Sequence, residues 1–500
     1  MNVPPEPREL SVPLSDAAKL RGLRIAAACF LAALFVSRLA APVADLDMWH
    51  EIALIRESVR AGHLLTEDLF AYTPTIRPVV DHEWGAGLLL YLVAPGGGWA
   101  VVALKYLLGL LTAVVILKCA RLRHTGFEPM TMLAPLAIPL LGLGYATLRA
   151  QAYSFLFFAA LLYLLELDAT GKRRWIPLWL FLLVVWVNIH GGWLMGMIAL
   201  GLHWLDQVVR RRPHSHVLGT IVLSAVAVSV NPYGFAYYRQ IWTAVTMSRA
   251  AIPEWAPIVR DAPWYAVLFW VTLAVAGYAI VKAGWRASPG ALVVAAMACG
   301  TILHRRIAPF YAVAWMAYVP SYVGATPLGE QIRFLFRKRV AATVVCLVLA
   351  MFFAATSVVV GFWRLIVPND PFPVGPVRYL ADQQFRGNVM TAFEHGSYVS
   401  WKLYPAVKVS VDSRYETAFP PAVIDENLRF YRAEPDWRQT LAKYPTDLVL
   451  TLREAAVASL LPGAGWNLVY KDKRFEVFAR PGLALSFRDD STKDFQGEFP

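Results

Sequence analysis

The chain has 500 residues, 57% of them hydrophobic and 16% charged, whereas soluble domains carry about 25% charged residues; an ordinary soluble globular protein is excluded. The formal net charge of +12 does not mark a nucleic-acid binder. The basic residues fall in short clusters between apolar blocks of roughly 17–25 residues, as in a polytopic helical membrane protein that keeps its Lys and Arg inside.

In chain order, the segment 1–22 carries Arg8, Lys19 and Arg21 and is placed in the cytoplasm. The first apolar run, about 24–44, is longer than a signal-peptide core and stays as an anchor that exits outside. An outer loop follows over 45–83. "WGAGLLLYLVAP" is too short to cross and reads as an interfacial or re-entrant helix. "WAVVALKYLLGLLTAVVILKC" crosses back and ends inside at Arg121 and Arg123. Further spans are expected near 130–148, 151–167, 175–189, 192–209, 216–230, 264–282, 288–303, 307–323 and 340–363. The inner loops then contain "GKRR", "RRRPH", "KAGWR" and "RFLFRKR". Every strongly basic linker but one falls on the cytoplasmic side, for about eleven spans over 23–365. The four cysteines, Cys29, Cys119, Cys299 and Cys346, lie in or beside apolar segments and imply no disulfide framework.

From 366 to 482 the pattern changes. The runs "NVMTAF", "VKVSVD", "DLVLTL", "WNLVYKD" and "FEVFAR" read as strands, with helical stretches "WRQTLAKY" and "EAAVASLL" between them. A small α/β domain outside the membrane is expected, followed over 483–500 by a disordered tail. The N-terminus is expected in the cytoplasm and the C-terminal domain outside it.

This topology sorts the unusual polar residues onto one side. Asp45, Asp47, His82, Glu83, Arg149, Gln151, Asn188, His190, Asn231 and the triplet His304, Arg305 and Arg306 all lie at outer ends of spans or in outer loops. Polar groups at such depth are costly unless they face a protein-lined cleft. On a helix Asp45 and Asp47 would point apart, so one of them is expected to face it. The triplet is the one basic cluster placed outside, and binding a phosphate is a reason to keep it there. A single broken span over 291–323 is the alternative for that region. No spacing matches a metal motif such as HExxH, so no cofactor is assigned, and a divalent ion is left open.

"DLDMWHEIA" (45–53) resembles the first-loop signature of the GT-C membrane glycosyltransferases, the superfamily that includes the protein O-mannosyltransferases and the aminoarabinose transferases acting on lipid A. Asp45, Trp49 and "EIA" (51–53) carry the match. "HEWGAGLLLYLV" stands where related enzymes have a His/Lys-Pro-Pro segment, but the two prolines are absent. "VDSRYETAF" (411–419) resembles a recurring D-x-R-x-E segment in the C-terminal outer domain of uncharacterised bacterial members.

The resemblance implies transfer of a sugar from a polyprenyl-phosphate carrier to an acceptor hydroxyl on a glycan, lipid or protein, with inversion at the anomeric centre. Asp45 is the expected base, with Asp47 beside it. Arg149, Arg305 and Arg306 are the expected phosphate-facing cations, joined by His82 and His304. Glu83, Gln151, Asn188 and His190 are expected to contact substrate. The rival readings are a transporter or flippase of a lipid-linked glycan, against which the absence of an internal repeat speaks, and a non-catalytic scaffold whose outer domain binds a partner.

Overall fold

The computed structural model describes residues 14–247 and 252–500; Arg8 and the rest of the expected cytoplasmic segment up to residue 13 lie outside the described residues. Helix α1 (Leu14–Leu39) is followed by α2 (Asp47–Ala61), which lies in the 45–83 loop, and by α3 (Trp84–Val93). Then come α4 (Gly98–Leu122), α5 (Phe127–Tyr145), α6 (Gln151–Ala169), α7 (Trp175–Val187), α8 (Trp193–Val209), α9 (Ser215–Ala227), α10 (Ala236–Thr246) and α11 (Ile258–Asp261). The series closes with α12 (Pro263–Ala283), α13 (Ala291–Leu303), α14 (Ala308–Gly324), α15 (Pro327–Leu335) and α16 (Arg339–Val360). Each of the eleven expected apolar segments is thus a helix, and α3 is the short helix expected between the first two.

Six helices, α1, α4, α5, α6, α12 and α16, are long and apolar enough to cross a membrane. Three others, α7, α9 and α13, have 13 residues each, roughly 20 Å, against a hydrocarbon core about 30 Å thick. All three stop at polar turns, "NIHGG", "NPYG" and "HRR". Helices α13 and α14 pack side by side and are not one broken span. Helix α14 is almost wholly buried, and its Trp315 donates to the Thr272 carbonyl at 2.9 Å.

The first helix ends earlier than expected. Its last residue is Leu39 rather than a residue near 44, because Pro42 disfavours helical backbone at Ala41 and supplies no N–H. Residues 40–46 are not helical. Ala44 donates to the Ile366 carbonyl at 3.0 Å, and Ile366 donates to that of Pro42 at 2.7 Å.

The five expected strands of the C-terminal region are present. After β1 (Val367–Pro368) come β2 (Gly387–Met390), β3 (Val407–Val409), β4 (Leu448–Leu452), β5 (Asn467–Lys471), β6 (Phe475–Ala479), β7 (Arg488–Asp489) and β8 (Gln496–Gly497). Six of them form one sheet in the order β3-β2-β4-β6-β5-β7, and β1 pairs with β8. The pairs β3-β2, β2-β4 and β5-β7 are parallel; β4-β6 and β6-β5 are antiparallel. "EAAVASLL" is a run of turns, not the expected helix, held by buried Val457 and Leu461. The expected disordered tail is also corrected: residues 483–500 contribute β7 and β8, and the Phe499 ring packs 5.5 Å from that of Trp49.

The 45–83 loop is built into this domain. Tyr72 donates to the Val409 carbonyl at 3.0 Å and Val409 to that of Phe70 at 2.9 Å, a short parallel addition at the β3 edge. Trp49 of α2 is fully buried against Phe372, Tyr398 and Phe499. The loop and the domain therefore share one side of the helical bundle. A chain crossing a membrane between them crosses an even number of times. We predict that a single cysteine replacing exposed Lys473, in a background freed of the four native thiols, reacts with an impermeant maleimide added to intact cells. One replacing exposed Arg212 is expected to stay protected; the reverse pattern would invert the map.

Candidate active site

The break after Pro42 decides how Asp45 and Asp47 sit. Asp45 lies in the extended connection and Asp47 opens α2, so the helical geometry that would point them apart does not apply. Both carboxylates face Arg149. Its Nε lies 2.5 Å from Asp45 Oδ2 and 3.9 Å from Asp47 Oδ2, and its Nη1 lies 2.9 Å from Glu254 Oε2. Only Asp47 of the pair keeps an exposed side chain, while Asp45 is buried.

Asp45 is buried, and each of its oxygens accepts a hydrogen bond. Oδ2 accepts from Thr147 Oγ1 at 2.5 Å as well as from Arg149, and Oδ1 accepts from the Asp47 N–H at 2.9 Å. Its oxygens are thus already taken up by three donors. Asp47 differs: its side chain stays one third exposed. Burial, with Asp45 and Glu254 adding to it, raises its pKa to about 7, outweighing the lowering effects of Arg149 and Ser413. A group titrating near neutrality is suited to take and give a proton.

Lys105 of α4 braces this corner. It is buried, and its ammonium donates to the carbonyls of Leu39 (2.8 Å), Ala41 (3.2 Å) and Ala146 (3.4 Å). A cation within an apolar helix needs such partners. Here they are the end of α1, two residues further on, and the loop that carries Thr147 and Arg149.

Glu254 belongs to a three-residue turn, Pro253–Trp255, that sequence reasoning did not single out. The triplet grips that turn. The His304 ring donates through Nδ1 to the Trp255 carbonyl at 2.6 Å, and the Arg305 N–H donates to that of Ala256 at 2.9 Å. The Arg306 guanidinium lies 4.4 Å above the Trp255 ring, with Nη1 3.5 Å from Glu254 Oε1. Gln151, buried, donates to the Arg306 carbonyl at 3.2 Å. Of the triplet, Arg306 joins the Arg149 cluster through Glu254, while His304 and the Arg305 backbone anchor the turn.

The second group is Glu83 with His82 and His190. Glu83 Oε1 lies 3.5 Å from Nε2 of each imidazole. The Gly192 N–H donates to His190 Nδ1 at 2.8 Å, so the neutral ring carries its hydrogen on Nε2, facing Glu83. A Cβ at Gly192 would lie 2.5 Å from Ser154 Oγ, so this turn needs glycine. Asn188 is occupied structurally. Its amide donates to the carbonyls of Val184 and Val230 at 2.8 and 2.9 Å, and its oxygen accepts from Trp84 Nε1 at 3.0 Å. Asn231 accepts from the Tyr233 N–H at 2.8 Å, and the Tyr233 hydroxyl receives the Asp81 N–H at 3.0 Å, which fixes the start of the "DHEWG" loop.

Helix α2 links the two groups. Buried Glu51, one turn after Asp47, lies on the same helical face and feels the charges of both Glu83 and Asp47. Glu254, Thr147 and His50 were missed by sequence reasoning, and Glu51 and Ser413 were noted only inside the "EIA" and "VDSRYETAF" motifs, with no role of their own. The i, i+3, i+4 spacing of Asp47, His50 and Glu51 was the available signal for two of them.

The residues do not fit a divalent ion. A guanidinium occupies the position between the three carboxylates, and among the described residues no group of three His, Cys, Asp or Glu is placed to hold a metal.

No protein-family model matches the chain, and no curated protein matches it. Among solved structures the chain is similar to the archaeal oligosaccharyltransferase AglB from Archaeoglobus fulgidus, solved in complex with an inhibitory peptide and a dolichol-phosphate. The TM-score is 0.60 at 12% sequence identity, over 89% of this chain and 70% of that one. The likeness is one of fold.

Removing one partner of a buried ion pair leaves an uncompensated charge. Arg149→Met is therefore expected to destabilise the protein by about 3 kcal/mol. Adding Asp45→Asn should restore part of that loss. Thermal unfolding of the two single variants and the double variant in detergent measures this; strictly additive losses would show that the pair is not coupled.

Proposed function

We propose that the chain is a GT-C-type glycosyltransferase of a bacterial inner membrane, moving a sugar from a polyprenyl-phosphate carrier to an acceptor hydroxyl on the outer face. The observation that carries the reading is the placement of Arg149. Its Nε and Nη1 hold carboxylates, while its Nη2 makes no hydrogen bond among the described residues and the side chain stays one third exposed. A preorganised guanidinium with a free edge suits a phosphate oxygen on which charge grows as the donor bond breaks. Arg306, 21% exposed, stands on the other side of Glu254. The dolichol-phosphate carried by AglB supports a lipid phosphate as ligand for this fold.

Asp47 rather than Asp45 takes the part of base in this reading. The acceptor O–H gives its proton to the Asp47 carboxylate, and the oxygen attacks the anomeric carbon. The bond from that carbon to the phosphate oxygen breaks, and its electron pair leaves with the polyprenyl phosphate, facing Arg149. Attack opposite the leaving group inverts the centre. Asp45 keeps Arg149 in place, the apolar helix walls hold the polyprenyl chain, and the acceptor is a glycan, lipid or protein. The eleven-span map with its cytoplasmic N-terminus and extracytoplasmic C-terminal domain belongs to the same proposal.

The sign of the pH dependence follows from Asp47. Its pKa is raised to about 7, so the neutral form prevails below that value and the base form above it. Transfer from a panel of radiolabelled polyprenyl-phosphate sugars, assayed in membranes, is expected to rise through neutrality and level off above it. Asp47→Asn should lower the rate by about 10²–10⁴-fold, and EDTA should leave wild-type transfer intact. Full activity in Asp47→Asn removes it as base, and absence of transfer from every donor favours the transporter or scaffold readings.

A further inference from the structure

The basic run "RFLFRKR" (333–339) has no part in the account so far, and it walls a depression at the far end of the bundle. Helices α1 and α16 pack side by side. Where they begin, Asp16, Lys19, Arg337, Lys338, Arg339 and Val340 line a surface depression of about 380 Å³. Helical rise puts Asp16 about 35 Å from Leu39 along α1, and the Leu39 carbonyl is held by Lys105 at the corner beside Arg149. A hydrocarbon core is about 30 Å thick. With α1 and α16 crossing a membrane, the depression and the Arg149 cluster stand at the levels of opposite headgroup layers.

Charge in the depression is unbalanced. Lys19, Arg337, Lys338 and Arg339 face it against one carboxylate, Asp16. That carboxylate is already shared, since its Oδ1 lies 3.7 Å from Arg339 Nη1 and 3.9 Å from Lys19 Nζ. Arg339 Nη1 also donates to the Asp16 carbonyl at 2.7 Å, which ties the start of α16 to the start of α1. Arg337 and Lys338 pair with no carboxylate among the described residues, and the Arg337 guanidinium lies 5.8 Å from the centre of the Phe334 ring.

Exposed apolar side chains border these cations on both sides. Phe334 and Leu335 come before them, Val340 and Val344 after them, and all four are more than half exposed. Helix α15 turns its other face to the bundle, with Ile332 buried and Gly329 packed so closely on the Val323 carbonyl that no Cβ fits. A soluble anion needs the cations alone. Cations bordered by exposed apolar groups match a charged headgroup and the first methylenes of its acyl chains.

We propose that this depression binds the phosphodiester headgroup of an anionic membrane phospholipid, with Lys19, Arg337 and Lys338 facing the phosphate and Phe334, Leu335 and Val340 against the acyl chains. Arg339, held by Asp16, fixes the two helix starts that frame the site. The inference stands independently of the reading of the Arg149 cluster.

Binding of phosphatidylglycerol, and of phosphatidylcholine with the same acyl chains, to the delipidated full-length protein in a non-ionic detergent tests it. Wild type is expected to bind phosphatidylglycerol at least about tenfold tighter, because each Lys or Arg beside an anionic headgroup adds attraction, and to lose part of that preference at high salt. Arg337→Gln combined with Lys338→Gln is expected to weaken phosphatidylglycerol binding about tenfold or more and to leave phosphatidylcholine binding unchanged. If that double variant does not fold, Lys19→Gln, on the α1 wall, is expected to weaken the same binding. Arg149→Gln should keep the full preference, and the double variant gives a background in which a lipid phosphate at Arg149 is measured without this second site. Equal binding of the two lipids by wild type, a preference that survives removal of these cations, or its loss in Arg149→Gln overturns the proposal. Inorganic phosphate displacing the lipid at equal concentration would also overturn it, by marking a site for soluble anions.

Discussion

One guanidinium set among three carboxylates organises one end of this helical bundle. Asp45 is buried, and an isolated carboxylate there would cost several kcal/mol. Arg149 removes that penalty and in doing so ties three separate parts of the chain together: the connection after α1, the α5–α6 connection and the 253–255 turn. Each of those parts is fastened a second time. Lys105 holds the first two through backbone carbonyls, and the triplet 304–306 holds the third through the carbonyls of Trp255 and Ala256. The site is therefore built by charges whose own burial requires that its parts stay together.

The C-terminal domain and the 45–83 loop form one unit above this cluster. The loop lends a short strand to the sheet edge, α2 buries Trp49 in the domain, and Arg56 lies 4.4 Å over the Trp401 ring while donating to the Trp401 carbonyl at 2.8 Å. Helix α2 is the shared member. Its buried apolar face docks the domain, and its first turn carries Asp47 to the Arg149 cluster. A single helix thus couples folding of the soluble region to placement of the carboxylate proposed as base.

The sequence was legible where hydrocarbon thickness or strand alternation governs. Eleven apolar runs are eleven helices, and five strand-like runs are five strands, because burial leaves few other uses for such patterns. The gathering of Asp45, Asp47, Arg149 and Arg306 was legible from sidedness alone. What stayed hidden depends on contacts distant in sequence. Glu254 sits in a short turn with no periodicity, and its importance comes from Arg149, 105 residues away. Asn188 looked like a ligand and is a fastener, since only the fold brings Trp84 and Val230 to it. The tail carries the charge and polarity of a disordered segment, yet Phe495 and Phe499 find apolar partners that no local pattern announces.

The account stands on Arg149 offering its free edge to a lipid phosphate. Binding of polyprenyl phosphate and of the parent polyprenol to the full-length protein in detergent, for wild type and Arg149→Gln, tests this most directly. The account predicts that wild type binds the phosphate at least about tenfold tighter than the alcohol, a difference of roughly 1.4 kcal/mol, and that the variant loses this preference. Equal binding of the two lipids by wild type, or a preference that survives in Arg149→Gln, would contradict it.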